Sequence, residues 1–427
     1  MGTLWHPFSD MAAVRDHEFV VDRADGVWVH DEAGRRYLDG CASLWYANVG
    51  HGRTEIVEAA MRQMAKLEAY SCFADIANRP ALELADRLSA LAPMSPGETK
   101  VFLGSGGADA IDTAVKMARG YWQARGEHQR VHVVSRETGY HGTHGYGTSI
   151  VGIPANREGW GVLAGENTVA PQDLEGVEKV FADVGTERIA AFVMEPVTGA
   201  GGVHIPPPGY VEGVAQLCRD HGVLLVIDAV ICGFGRLGTW FGIERYGVEP
   251  DLVTFAKGVT SGYLPLGGVL VSPEVAAPWW TTPGERTLRH GPTYSGHPTC
   301  CAAGLATLDV YEREGLIPRG RELEGALEAA LAPLREHPYV AEVRAGTGLL
   351  AAVELTPDVL SSVPDAPNAL LRGAREAGVL VRGLGKGVAV SPPLTITEDE
   401  IRMLGEGIRA GLDVLPAEPP VPAAPGA

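Results

Sequence analysis

Apolar positions along the chain follow two rhythms. Between about 100 and 271 they come in short runs with little polar alternation. These are Lys100-Val-Phe-Leu103, Val131-His-Val-Val134, Ile189-Ala-Ala-Phe-Val-Met194, Val223-Leu-Leu-Val-Ile227, Leu252-Val-Thr-Phe255 and Gly268-Val-Leu-Val271. Runs of this kind predict strands covered on both faces, as in a mostly parallel sheet. Between the runs, apolar residues recur at helical spacing. Ile111, Ala114, Val115 and Ala118 predict a helix over Ala108–Gln123, and a second is predicted over Tyr210–His221. Upstream, Val27–His30 and Arg36–Asp39 flank the turn Asp31-Glu-Ala-Gly34 and read as a hairpin, with helices following at about 54–69 and 79–91. Downstream, helices recur at about 298–334, and strand and helix patterns run over about 340–413. The fold class is therefore α/β.

At 427 residues the chain is about three times the common domain size, which predicts two packed regions. Residues 415–427, rich in Pro and Ala, are expected to be disordered. An apolar fraction of 45% with 21% charged residues excludes a wholly disordered chain. The net charge of −18, with no dense Lys/Arg stripe, argues against a nucleic-acid partner. The strongest apolar run, Val223–Val230, contains Asp228 and is too short to span a bilayer. The segment Met1–His6 has no basic patch leading into an apolar stretch, so it does not read as a signal peptide. His6 stands where N-myristoylation of Gly2 would want Ser or Thr. The six cysteines form no C-x-x-C pair, and a reducing cytoplasm suits them.

Ligands of open α/β sheets bind beyond the carboxyl ends of the strands. Three polar residues stand at such ends: Glu195, Asp228 and Lys257. Asp228 and Lys257 are 29 residues apart, room for one crossover between neighbouring strands. From position alone they could equally form a structural ion pair. Gly104-Ser-Gly-Gly-Ala-Asp109 lies between a strand and a helix, where close-approaching N–H groups and the helix dipole favour an anion. It is neither a dinucleotide fingerprint nor a P-loop, and a simple tight turn is the competing reading. His141 and His144 lack acidic or Cys partners in sequence and do not suggest a metal site. A lysine, an acid, an anion cradle and an aromatic residue together are what pyridoxal 5'-phosphate (PLP) requires. The amine forms a Schiff base, the acid keeps the ring nitrogen protonated, and the aromatic stacks on the pyridine.

Six motifs carry a family resemblance over residues 4 to about 410. They are Val101-Phe-Leu-Gly-Ser-Gly-Gly-Ala-Asp-Ala-Ile-Asp-Thr-Ala114, Tyr140-His-Gly142 and Glu195-Pro-Val-Thr-Gly-Ala-Gly-Gly202, then Asp228-Ala-Val-Ile-Cys-Gly-Phe-Gly-Arg-Leu-Gly238, Thr254-Phe-Ala-Lys-Gly258 and Gly291-Pro-Thr-Tyr-Ser-Gly-His-Pro298. In this order they resemble the class III (subgroup II) aminotransferases of fold type I. The resemblance implies a large PLP-binding domain over 56–310 with a mostly parallel central sheet. It also implies a smaller α+β domain built from residues 1–55 and 311–414. Lys257 would carry the cofactor and shuttle a proton, and Asp228 would bond the ring nitrogen. Val230, two residues on and on the same face of an extended segment, would pack on one ring face and Tyr140 on the other. Gly106, Gly107 and Ala108 would present N–H groups to the phosphate, with Glu195 beside them. Thr293 would reach the phosphate of the neighbouring subunit, which implies a homodimer or a tetramer with shared sites.

Departures from the family speak to substrate. Ala108 and Ala229 replace a usual Ser and Glu. Thr143 and Ala200 stand where 4-aminobutyrate and ornithine aminotransferases carry an Arg for the distal carboxylate and a Glu. Without a bidentate Arg those activities are disfavoured. Phe8 replaces a Tyr of the diaminopelargonate enzyme. What remains resembles the ω-aminotransferases that use amines or β-alanine with pyruvate. Trp45 would be the pocket tryptophan, Phe73 would line the same pocket, and Arg382 would bind the keto-acid carboxylate. The implied reaction is ping-pong transfer from a primary amine or ω-amino acid to pyruvate or another small keto acid. A decarboxylase, aminomutase or racemase on this scaffold is the alternative enzyme, and a non-catalytic protein keeping the fold is the alternative class.

Overall fold

The structure, a computed structural model, describes residues 3–15, 18–363 and 365–415. The predicted disordered tail therefore lies, past Leu415, outside the described residues. A seven-stranded sheet forms the centre. Its strands run in the order Lys100–Gly104, Gly267–Val271, Leu252–Phe255, Leu224–Asp228, Ile189–Met194, His132–Arg136, Asn167–Ala170. Gly267–Val271 is antiparallel to both of its neighbours, and all other pairs are parallel. Two reversals cancel, so Lys100–Gly104 points the same way as the parallel set. The loops after residues 104, 136, 194, 228 and 255 consequently leave from one edge.

The unbroken apolar runs have a direct physical cause. Val133, Val193, Val226, Leu252 and Val269 face one apolar cluster, together with Ile111 and Val115 of the helix Gly107–Ala124. Their neighbours Val134, Phe192, Ile227, Val253 and Leu270 face another, with Val211 and Val214 of the helix Tyr210–His221. Side chains alternate with period two, and both faces are dry. The middle of these strands is thus mostly apolar, with polar residues such as Asp228 and Arg136 gathered at strand ends. The short edge strand Asn167–Ala170 has no such run; half of its residues are polar, and the pattern did not predict it.

The termini share a second unit. The predicted hairpin gains a third strand, Val21–Asp25, and Arg36–Asp39 pairs in parallel with Val379–Leu380 near the other end of the chain. Beside it lies a sheet ordered Val340–Arg344, Ala351–Leu355, Gly387–Val390, Arg382–Leu384. The helix Glu398–Asp413 opens with a capping box between Thr397 and Glu400. Buried Arg236 binds this unit to the large sheet: its guanidinium donates to Leu349 O at 3.0 Å, Pro392 O at 2.6 Å and Asn48 Oδ1 at 2.8 Å. Burial pulls its pKa down to about 10. Among the described residues no helix is long and apolar enough to cross a membrane.

Candidate active site

Past the strand Leu252–Phe255, Lys257 adopts φ 47° and opens a single 3-10 turn to Val259. A non-glycine residue in this region costs about 1–3 kcal/mol, and such strain gathers at functional sites. The Nζ lies 5.8 Å from the centroid of the Trp45 ring. Among the described residues no carboxylate pairs with it. Desolvation lowers the pKa of the ammonium, opposed by the charges of Asp228 and Glu195. The plain ion pair between Asp228 and Lys257 is therefore not what the strand ends build.

Asp228 instead ends its strand, almost fully buried, with both oxygens engaged. Oδ1 accepts from Val230 N–H at 3.1 Å and from Thr254 Oγ1 at 3.2 Å, while Oδ2 lies 2.9 Å from His141 Nδ1. The register places Asp228 opposite Thr254 on the neighbouring strand, which brings the two side chains within reach. Val230 lines the same cavity, but for another reason than expected. The strand stops at Asp228, and Val230 sits in a turn that its own bond to Asp228 folds back.

The glycine motif closes around the first turn of the helix Gly107–Ala124. The leading N–H groups of a helix have no helical acceptor, and Gly106 caps this one without a side chain. Asp109 braces the approach by accepting from Ser105 N–H at 2.7 Å. Two glycines are constrained by close approach rather than by turn geometry. A Cβ on Gly107 would stand 3.0 Å from Val230 Cγ1, and one on Gly267 would stand 2.5 Å from Gly106 O. Gly142 has φ +90°, and a Cβ there would lie 2.7 Å from Ala108 Cα. Gly142→Ala is expected to cost about 1–3 kcal/mol of stability through overpacking and to weaken PLP uptake. Thermal unfolding with and without added PLP measures both.

Glu195 follows Met194 and is buried. Its two oxygens accept from Tyr140 N–H at 3.0 Å and Gly199 N–H at 2.9 Å, so it ties together two loops that flank the cavity. Burial first, then the charge of Asp228, raise its pKa above the usual carboxyl range. Buried Arg136 supports it from behind through a 2.7 Å bond to Glu195 O. The cavity is about 190 Å³ and is lined by Gly107, Ala108, Tyr140, His141, Gly142, Glu195, Asp228, Val230, Ile231 and Lys257. This is small beside the roughly 300–1,000 Å³ of typical ligand pockets, and suits a compact flat ring.

Not every expected residue faces this cavity. Trp45 is buried close by. Arg382 is exposed on the strand Arg382–Leu384, and among the described residues it has no carboxylate partner. Its charge nevertheless reaches Tyr140 and Lys257. Ala200 packs beside Leu384 in the cluster that holds Trp45. Phe73 is half exposed, against Gly291, and Thr293 is exposed; neither lines the cavity of its own chain. His141, which the sequence suggests only as an unsupported metal ligand, is a functional residue of this site, and its place within Tyr140-His-Gly142 is the available signal. Its Nε2 is buried with no partner among the described residues.

The sequence profile of the family "Aminotransferase class-III" matches residues 11–412. The chain belongs to the class III aminotransferases. It is 36% identical to an omega-aminotransferase of Caulobacter vibrioides over 96% of this chain and 97% of that protein. It is also 36% identical to a putrescine–pyruvate aminotransferase of Pseudomonas aeruginosa, over 95% and 93%. An amine transaminase from an uncultivated Pseudomonas species, solved with PLP bound, superimposes with TM-score 0.92 at 37% identity, covering 97% of this chain and 99% of that one. Class III aminotransferases are PLP-dependent and move an amino group between an amine and a keto acid, with fold type I architecture. The decarboxylase, aminomutase, racemase and non-catalytic readings are not favoured. The cavity fits PLP: a lysine without an anionic partner faces it, a buried carboxylate stands across it, and a Cβ at Gly107 would crowd its wall.

Proposed function

We propose that this aminotransferase moves nitrogen from a primary amine or ω-amino acid to pyruvate or another small keto acid in ping-pong fashion. The observation that carries the reading is the convergence of Lys257, Asp228 and Glu195, from three neighbouring strand ends, on one small cavity beside a glycine-lined helix start. When bound, PLP supplies an aldehyde for the nitrogen and a protonated ring that withdraws electrons. The chain's own residues do the rest. Lys257 would hold the cofactor and would carry a proton at its Nζ. Asp228 would anchor the ring nitrogen, and His141 orients Asp228. Tyr140 and Val230 would pack against the ring. Gly106, Gly107 and Ala108 would offer N–H groups to the phosphate, and Glu195 fixes the Tyr140 loop.

Trp45 walls the amine side. Next to the cavity, sharing Gly142, a groove of about 700 Å³ is lined by Phe8, Thr143, Trp160 and Val162. Its described lining holds Glu158 but no Lys or Arg. An amine with an uncharged or cationic tail fits such a groove better than one with a distal carboxylate. The pyruvate acceptor is supported by the putrescine–pyruvate relative and by Arg382, which has no carboxylate partner among the described residues. A screen of amines with pyruvate, reading alanine formation, tests the proposal; no alanine from any amine overturns it. Arg382→Ala is expected to lower kcat/KM for pyruvate about 10–100-fold, the worth of charged hydrogen bonds. The half-reaction with an uncharged amine should change less than about twofold. Rapid-mixing absorbance of the two half-reactions separates them.

A homodimer with shared sites supports the same reading. Thr293 and Phe73 sit outside their own cavity, free to serve a second copy, and a tetramer is compatible. Met61, Met64, Tyr70, Ile76 and Tyr294 add large exposed apolar surface along the same segments. Six free thiols suit the cytoplasm.

A further inference from the structure

The backbone beneath Trp45 is unusually strained. Ala42, Ser43 and Trp45 all have positive φ, at 45°, 59° and 59°, and none is glycine. Ser43 combines its φ with ψ −90°, outside the ordinary left-handed well. Such conformations persist only where the surroundings over-determine them. The surroundings here converge on one carboxylate. Asp39 is buried, and its Oδ1 accepts from Cys41 N–H at 3.2 Å. Its Oδ2 accepts from Ser43 N–H at 2.7 Å and lies 2.8 Å from His51 Nε2. Asp39 is itself fixed through its backbone, which donates to Val27 O at 2.8 Å and pairs with Leu380. The turn ends on Trp45, whose N–H returns to Cys41 O at 2.9 Å and whose ring faces Lys257 Nζ.

We propose that Asp39 is a positioning residue, whose buried carboxylate clamps the Cys41–Trp45 turn and thereby sets the amine-side wall of the active site. The proposal rests on the reading of Trp45 as that wall. Asp39 does not line the cavity, and among the described residues its carboxylate makes no bond to Arg382; this segment meets the short strand Val379–Leu380 that precedes Arg382 through backbone pairing, with Gly40 N–H donating to Leu380 O at 2.8 Å. Its carboxylate therefore acts on one substrate and not on the other.

The test is a double-mutant cycle on the holoenzyme, with a benzylic amine and pyruvate measured in separate half-reactions. In Asp39→Asn an amide NH₂ replaces one acceptor oxygen, so a turn N–H loses its partner. The amine kcat/KM is expected to fall about tenfold, with the pyruvate value unchanged within about twofold. In a Trp45→Ala background the same substitution should add less than about twofold, since the wall it positions is gone. Its loss of melting temperature should persist in that background, which separates positioning from stability. D39N/S43G should recover part of the amine activity, because glycine adopts the turn geometry without a clamp; it also stands in for D39N if that variant does not accumulate. Equal losses for amine and pyruvate, or a full tenfold loss on top of W45A, overturn the proposal. Wild-type enzyme that takes no nitrogen from the amine overturns the reading beneath it, and the proposal with it.

Discussion

Lys257→Ala is expected to abolish the visible Schiff-base absorbance and to lower turnover by at least roughly 10²–10⁴-fold, the contribution of a positioned proton carrier alone. The geometry explains why no neighbour can substitute. Lys257 is the one ammonium that lines the described cavity. Its nearest competitor in charge, Arg382, cannot deprotonate in a protein. Desolvation favours the neutral amine of Lys257, the form that attacks an aldehyde. Removing it leaves the glycine cradle, Tyr140 and Asp228 in place, so PLP should still bind without a covalent link. Borohydride reduction followed by peptide mapping checks the assignment directly. A pyridoxyl adduct at residue 257 in the wild type and none in the variant is the expected result. Wild-type-like turnover in the variant refutes the role.

Asp228→Asn is expected to lower turnover roughly 10²–10³-fold, the scale on which removal of a preorganised electrostatic contact acts. Stability should change far less than activity. An asparagine can keep its oxygen toward Val230 N–H and Thr254 Oγ1 and turn its NH₂ toward His141, whose other tautomer accepts it. The local bonds thus survive, while the negative charge that holds a proton on the ring nitrogen is lost. An ¹⁵N-labelled cofactor reports this: the ring nitrogen should shift from protonated toward neutral in the variant. An unchanged ¹⁵N signal with unchanged turnover would remove Asp228 from the chemistry and leave it a structural residue.

The central strands, their coverage on both faces and the ends at which Glu195, Asp228 and Lys257 stand were legible along the chain, whereas their order in the sheet was not. Each of the legible features depends on local periodicity, and a strand dry on both sides must write that fact into consecutive residues. Six motifs in one order were enough to mark the family. The edge strand Asn167–Ala170 was not legible, since two of its four residues are polar and leave no apolar run. Nor was the turn that places Val230, because a side-chain bond from Asp228 replaces the extended backbone there.

What the sequence by itself determined is the scaffold and the identity of the reacting groups. Tertiary structure alone decided their partners: His141 and Thr254 on Asp228, Tyr140 and Gly199 on Glu195, and the clamp of Asp39 on the turn before Trp45. It also decided that Thr293 and Phe73 lie away from their own cavity and that Arg382 has no carboxylate partner among the described residues. The physical reason is separation. A hydrogen bond across strands requires side chains to meet at about 3 Å, and Asp228 and His141 lie 87 positions apart in the chain. Only the register and packing of the folded sheet bring such pairs within reach.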